Sequence, residues 1–220
     1  MLIKSNSNLF IFKICASSNL FFRIYLFFFV IRKRKTSKLF FKMNPLDIIK
    51  KYYNPDGEAY KILVHHSSDV ANKAISIAKN RPDLNPDLRF IAEAAMLHDI
   101  GVCKTFAPKI YCEGENAYLC HGYLGCEMLM KEGYPLHALV CERHTGTGLS
   151  RTYIIRENLP LPHREMLPVS IEEQMICFAD KFFSKTHLGK ERTIKKVRAK
   201  LEKYGQEHVV RFDNWCKMFV

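Results

Sequence analysis

Closely paired cysteines, long apolar runs and strand-like alternation are all missing from this chain, and each absence removes a class of protein. The seven cysteines beyond residue 42 (Cys103, Cys112, Cys120, Cys126, Cys141, Cys177 and Cys216) include no CxxC pair, and their number is odd. That excludes a disulfide framework and a thiolate zinc site, and reduced thiols in a cytoplasmic protein are expected. The longest apolar stretch, Leu20 to Ile31, is twelve residues broken by Arg23. A membrane-spanning helix needs about 20. With no period-two alternation of useful length, the chain reads as all-α.

Acidic residues are absent from the first 42 positions, which carry nine Lys/Arg and nine of the sixteen Phe. Most of the formal charge of +12 therefore sits in this leader, and residues 43–220 hold 25 basic against 22 acidic residues. A nearly balanced domain without an interleaved basic and aromatic patch gives no reason to expect nucleic acid as a partner. The leader itself, residues 1–42, fits a signal peptide poorly, because its basic block Arg32-Lys33-Arg34-Lys35 follows the apolar run instead of preceding it. Met43, followed by a fresh helical pattern, marks the expected start of the domain. Residues 1–42 then read as a start assigned too early or as a short membrane-surface segment, and a membrane partner is expected only in the second case.

Within residues 43–220 the helices follow one another at regular spacing. Asp56-Gly57 opens a pattern in which Leu63, Val70, Ala74 and Ala78 recur at helical intervals, with His66 on the same face. Asn85-Pro86 reads as an N-cap and first helical residue leading to Leu88–His98, where His98 is in phase with Ile91 and Ala94. Residues 102–116 read as a loop. Helix resumes with Ala117, His121, Leu124 and Met128 on one stripe and stops at Gly133-Tyr134-Pro135. Leu136, Val140 and His144 follow at four-residue steps until Thr145-Gly146-Thr147-Gly148. Residues 150–168, with three prolines and three arginines, read as an extended loop, either a lid or a plain connection. Ser170 and Glu173 form a capping box for a helix whose inner face holds Ile176, Asp180 and Phe183. Two amphipathic patterns close the chain, through Ile194, Val197 and Leu201 and through Val209, Phe212, Cys216 and Phe219.

Polar residues thus recur on faces that should be apolar: His66, His98 with Asp99, His121, His144 and Asp180. One such buried group without a partner costs about 1–3 kcal/mol, so a set of them calls for a common partner. A metal supplies it, and imidazole with carboxylate suits Fe, Mn, Zn, Ni or Co. His65, His137, His163, His187 and His208 fit no shared face and read as ordinary histidines.

The order His66, His98-Asp99-Ile100-Gly101 and Ala179-Asp180-Lys181, all on helices, resembles the HD superfamily of metal-dependent phosphohydrolases over roughly residues 58–188. His121-Gly122 and His144-Thr145-Gly146 are similar to the extra histidines of its two-metal branch, which includes bacterial enzymes that hydrolyse dinucleoside polyphosphates. The resemblance implies an all-α HD-domain bundle of about five core helices plus two C-terminal helices in residues 189–220. It implies one or two divalent transition-metal ions: His66, His98, Asp99 and Asp180 would hold the first, and Asp99 would bridge to a second on His121 and His144. A metal-activated hydroxide would then attack a phosphate ester or anhydride of a small molecule, a nucleotide being the expected substrate. Relatives carry a Lys directly after HDxG where this chain has Val102, so Lys104 is the nearest candidate catalytic cation. Arg143, beside His144, is a catalytic and substrate-binding candidate, and Thr145, Lys181 and Lys185 are substrate-binding candidates, with Thr147 a further hydroxyl. A non-catalytic nucleotide-binding or signalling module that keeps the ligands for stability is the alternative.

Overall fold

A computed structural model of the chain describes residues 43–220. The leader and its expected identity lie outside the described residues. Helix α1 (Pro45–Ile49) starts where the Asn44 side chain accepts the Leu46 amide at 3.2 Å. Helix α2 (Glu58–Asn80) buries one continuous face, including Leu63, His66, Ser67, Val70 and Ala74. Helix α3 (Leu88–Leu97) begins two residues later than Asn85-Pro86 suggested. Its cap is Asp87, whose carboxylate accepts the Phe90 amide at 2.9 Å, whereas Asn85 adopts a left-handed conformation (φ 49°) that closes the preceding 3₁₀ turn.

His98 and Asp99 follow α3, and Ile100–Lys104 winds into a 3₁₀ turn. Gly101 is required there for proximity: a Cβ would lie 2.2 Å from the His121 carbonyl oxygen and 2.4 Å from the Gly125 nitrogen. The expected loop at 102–116 contains a small antiparallel ribbon, β1 (Phe106–Ala107) against β2 (Cys112–Glu113), with Phe106 opposite Glu113. Too short to show alternation, it left no trace in the sequence.

Helix α4 (His121–Lys131) ends near Gly133, whose φ of 84° lets the chain reverse into α5 (Pro135–Arg143). Leu136 does not face inward as its spacing from Val140 suggested: it is 63% exposed, and Ala138, Val140 and Cys141 form the buried side. The stretch 150–168 is not all loop. Ser150 caps α6 (Arg151–Arg156) by accepting the Tyr153 amide, and Tyr153 and Ile154 are buried. All three prolines lie outside those six residues, so nothing opposes the turn and a half of helix. Helix α7 (Ile171–Asp180) is capped by Ser170, but Glu173 turns its carboxylate to the Val169 amide and to Arg143, not back to Ser170. Helices α8 (Ile194–Leu201) and α9 (Gln206–Phe219) complete the chain.

The fold is the expected all-α bundle: α2, α3, α4, α5 and α7 form the core, α8 and α9 follow it, and α1 and α6 are short additions. One apolar cluster joins α2, α3 and α7 to α9 around Phe178, whose ring meets those of Phe182, Phe212, Trp215 and Phe219. A second joins α1, α4 and α5 to the 3₁₀ turn through Ile49, Leu97, Ile100 and Leu129. His98 and Asp99 sit where the two clusters meet, on the short link between α3 and that turn. Among the described residues no helix is long and apolar enough to cross a membrane.

Candidate metal centre

The polar residues on the inner helix faces converge. His66 from α2, His98 and Asp99 after α3, and Asp180 at the end of α7 offer ligand atoms within 4.8 Å of one another. Asp99 with His121 at the start of α4 and His144 at the end of α5 forms a second group under the same limit. Asp99 belongs to both. Its Oδ2 lies 3.1 Å from His66 Nε2 and 2.8 Å from His98 Nε2, and its Oδ1 lies 3.3 and 3.4 Å from the Nε2 atoms of His121 and His144.

Three of the histidines are locked in the same way. The Nδ1–H groups of His98, His121 and His144 each donate to a carbonyl three residues back, at Ala95 (2.6 Å), Tyr118 (2.6 Å) and Cys141 (2.7 Å). A carbonyl only accepts, so Nδ1 carries a proton in each ring and Nε2 is the atom turned to the interior, where it offers a lone pair whenever the ring is neutral. This is the arrangement a cation requires. His98 Nε2 and both Asp99 oxygens are buried without a properly angled hydrogen bond, and a bound cation would give them a common partner. The donors are imidazole and carboxylate with no thiolate, so a divalent transition metal fits the residues present.

Electrostatics sharpen the picture. Burial opposes ionisation of Asp99, but His98 and Lys185 override it and hold the carboxyl well below the usual range. Asp180 is lowered against its own burial by Lys181 and the adjacent histidines. Burial would depress His98, yet Asp99 beside it raises the ring to about 9. Burial does prevail at His121, pushed down to about 3, and at His144, lowered as well.

Of the remaining expected site residues, three join the centre and three do not. Lys185 Nζ lies 2.5 Å from Asp99 Oδ2, its side chain only 11% exposed. Lys181 Nζ lies 2.7 Å from Asp180 Oδ2 and donates to the His144 carbonyl at 3.0 Å. Thr145 lines the adjoining cavity of about 700 Å³. Lys104 is exposed and does not line that cavity, because the 3₁₀ turn carries it outward. Arg143 is also outside it, drawn away by a two-oxygen pairing with Glu173 at 3.0 Å. Thr147 is buried, its hydroxyl 2.9 Å from His208 Nδ1.

The sequence reading missed several cavity residues: Lys109, Tyr118, Arg192, Lys200, Tyr204 and His208. For His208 a signal existed, since it lies four before Phe212 on the buried face of α9. The others sit in turns or on exposed helix positions, where spacing carries no direction.

A family model described as HD domain matches residues 63–184, more than half of the chain. The chain is similar to an uncharacterized protein of Methanocaldococcus jannaschii, 30% identical over 146 residues, which are 64% of this chain and 78% of that protein. It is also similar to a tRNA (cytidine(56)-2'-O)-methyltransferase of Thermoplasma volcanium, 29% identical over 140 residues, or 63% of this chain and 35% of the relative. The enzyme of the same name from Picrophilus torridus is 31% identical over 124 residues, 56% of this chain and 32% of the relative. The chain thus spans about a third of the length of these two methyltransferases. No solved structure matches it.

Proposed function

The chain belongs to the HD-domain family of metal-dependent phosphohydrolases, and from that premise we propose that it hydrolyses a phosphate ester or anhydride of a small molecule, a nucleotide. The observation that carries this reading is the pair of ligand groups sharing Asp99 at the floor of the cavity. His66, His98, Asp99 and Asp180 would hold one divalent transition metal, and Asp99, His121 and His144 a second. When bound, such ions polarise phosphoryl oxygens and lower the pKa of water towards neutrality.

The chain's own residues supply the rest. The three Nδ1–H donations to carbonyls hold the imidazoles in one tautomer and orientation, so no reorganisation is needed when a substrate arrives. Lys185 places an ammonium beside Asp99, where it faces the phosphoryl group being cleaved; its charge is secure because Asp99 outweighs the effect of burial. Lys181 is a positioning residue, tying Asp180 to the His144 carbonyl. Apolar and aromatic side chains also line the cavity, among them Leu149, Tyr153 and Leu159, and suit a base or comparable flat group. Methyl transfer is not part of the reading, since the relatives so named match this chain over about a third of their length.

Metal analysis of the purified full chain, followed by a panel of nucleotides, other phosphorylated metabolites and p-nitrophenyl phosphate, tests the proposal. Bound transition metal with turnover on the panel is expected. Metal-loaded protein that binds nucleotides tightly but releases no phosphate or nucleotide product would favour the non-catalytic module instead.

A further inference from the structure

One wall of the cavity is built by chain beyond residue 184, past the segment matched by the family model, and includes Arg192, Lys200, Tyr204 and His208. His208 is 2% exposed. The Thr147 amide donates to its Nδ1 at 3.4 Å and the Thr147 hydroxyl lies 2.9 Å from the same atom. Nδ1 is therefore the acceptor, and Nε2 carries the proton. That buried Nε2–H has no hydrogen-bond partner among the described residues. Tyr153 packs edge-on against the ring at 5.0 Å and holds it in place. Native proteins rarely bury a donor without an acceptor, and this one belongs to a ring that lines the cavity, where a ligand can bring the acceptor.

Charge on the same wall points the same way. Lys181 and Lys185 have carboxylates at hand in Asp180 and Asp99. Among the described residues Arg192 and Lys200 have none within ion-pair range. Arg192 spends one nitrogen on the carbonyls of Lys181 and Phe183, which fixes the guanidinium and leaves its other N–H groups unengaged. Lys200 lines the cavity close enough to these cations that burial, then Arg192 and Lys181, make its ammonium easier to deprotonate. Two cations with no carboxylate in ion-pair range and a neutral N–H donor thus line the same cavity, where Asp180 is engaged by Lys181.

We propose that Arg192, Lys200 and His208 form a second anion subsite, which takes a phosphate group of the substrate other than the one cleaved. The preferred substrate then carries at least two phosphate groups. The role of the cleaved phosphate rests on the hydrolase reading; the binding at this wall does not.

Inorganic pyrophosphate is the probe, titrated calorimetrically into the full chain freed of metal by a chelator. Arg192→Gln and Lys200→Gln should each weaken binding about tenfold, the scale of one charge-assisted hydrogen bond. His208→Phe, which keeps the ring and removes the N–H, should weaken it several-fold. Lys196→Gln, an equal loss of charge at an exposed position on the same helix as Lys200, should leave it unchanged. If Arg192→Gln and Lys200→Gln bind pyrophosphate like the wild type, or Lys196→Gln weakens binding as much as they do, the subsite does not exist. Should His208→Phe fail to fold, the other two variants decide. Turnover by the metal-loaded wild type on the phosphate panel separates the two proposals. Subsite-dependent binding without turnover overturns the hydrolase reading alone, and turnover with binding indifferent to Arg192 and Lys200 overturns the subsite alone.

Discussion

His121 Nε2 lies 3.0 Å from His144 Nε2, although each ring already donates its Nδ1–H to a backbone carbonyl. Two neutral imidazoles so fixed confront each other lone pair to lone pair. The contact is unfavourable on its own and becomes favourable when both rings share a cation.

From that contact follows a stoichiometry. The full chain should take up two equivalents of a divalent transition metal, and His144→Ala should reduce this to about one, since His66, His98, Asp99 and Asp180 form a group without it. Asp99→Ala should remove metal binding and activity together, because both groups lose their common member. Metal analysis by mass spectrometry after desalting reads the count. Two equivalents retained in His144→Ala would show that the second group is not a metal site.

Lys185 and Arg143 should behave differently although both were candidates for substrate contact. Lys185→Met is expected to lower kcat about 100-fold, the usual loss when one fixed charge facing a reacting group is removed, with metal content preserved. Arg143→Met leaves Glu173 buried without its cation, so it should cost about 1–3 kcal/mol of stability and leave the kcat of the folded protein near wild type. Kinetics and denaturant melts on the two variants check this, and a kcat loss of similar size in both would contradict it.

Gly101→Ala should be more damaging than a helix-stopping glycine would be. Its Cβ meets backbone of α4 at 2.2 Å, and backbone cannot rotate away, so a loss on the order of 1–3 kcal/mol is expected. The displaced α4 carries His121, so metal stoichiometry should fall as well. An unchanged melting temperature and metal count would mean that the close approach is not obligatory.

Acid should weaken the fold through His208. Burial, then Arg211, lowers its ring to about 4, against about 6.5 in an unfolded chain. Between those values the unfolded chain binds a proton that the folded chain refuses, so this contribution is complete above pH 6.5 and is lost as the pH falls towards 4. Urea midpoints of the metal-free wild type and of His208→Phe, compared at pH 7.5 and 5.0, isolate the effect. The wild type should lose more stability than the variant, and equal losses would count against it.

Local pattern was sufficient for the bundle and for the inward-facing histidines and aspartates that converge in it. Helical faces repeat every three to four residues, so a histidine or aspartate in phase with Leu63, Ile91 or Ile176 shares the face those residues bury. His66, His98, Asp99, His121, His144 and Asp180 were legible for that reason. Periodicity carries no information about which long side chain reaches which pocket. Lys104 looked nearer to the chemistry than Lys185, yet the 3₁₀ turn sends the first outward while the second, five residues past Asp180, folds back onto Asp99. Arg143 adjoins a metal ligand in sequence and still leaves the cavity, because Glu173 on α7 offers it two oxygens. The cavity wall of Arg192, Lys200 and His208 arises only when the C-terminal segment folds back beside the centre, bringing together groups from α8, α9 and the turn before them. Spacing along the chain determines which face a residue occupies, and only packing between distant segments determines what that face meets.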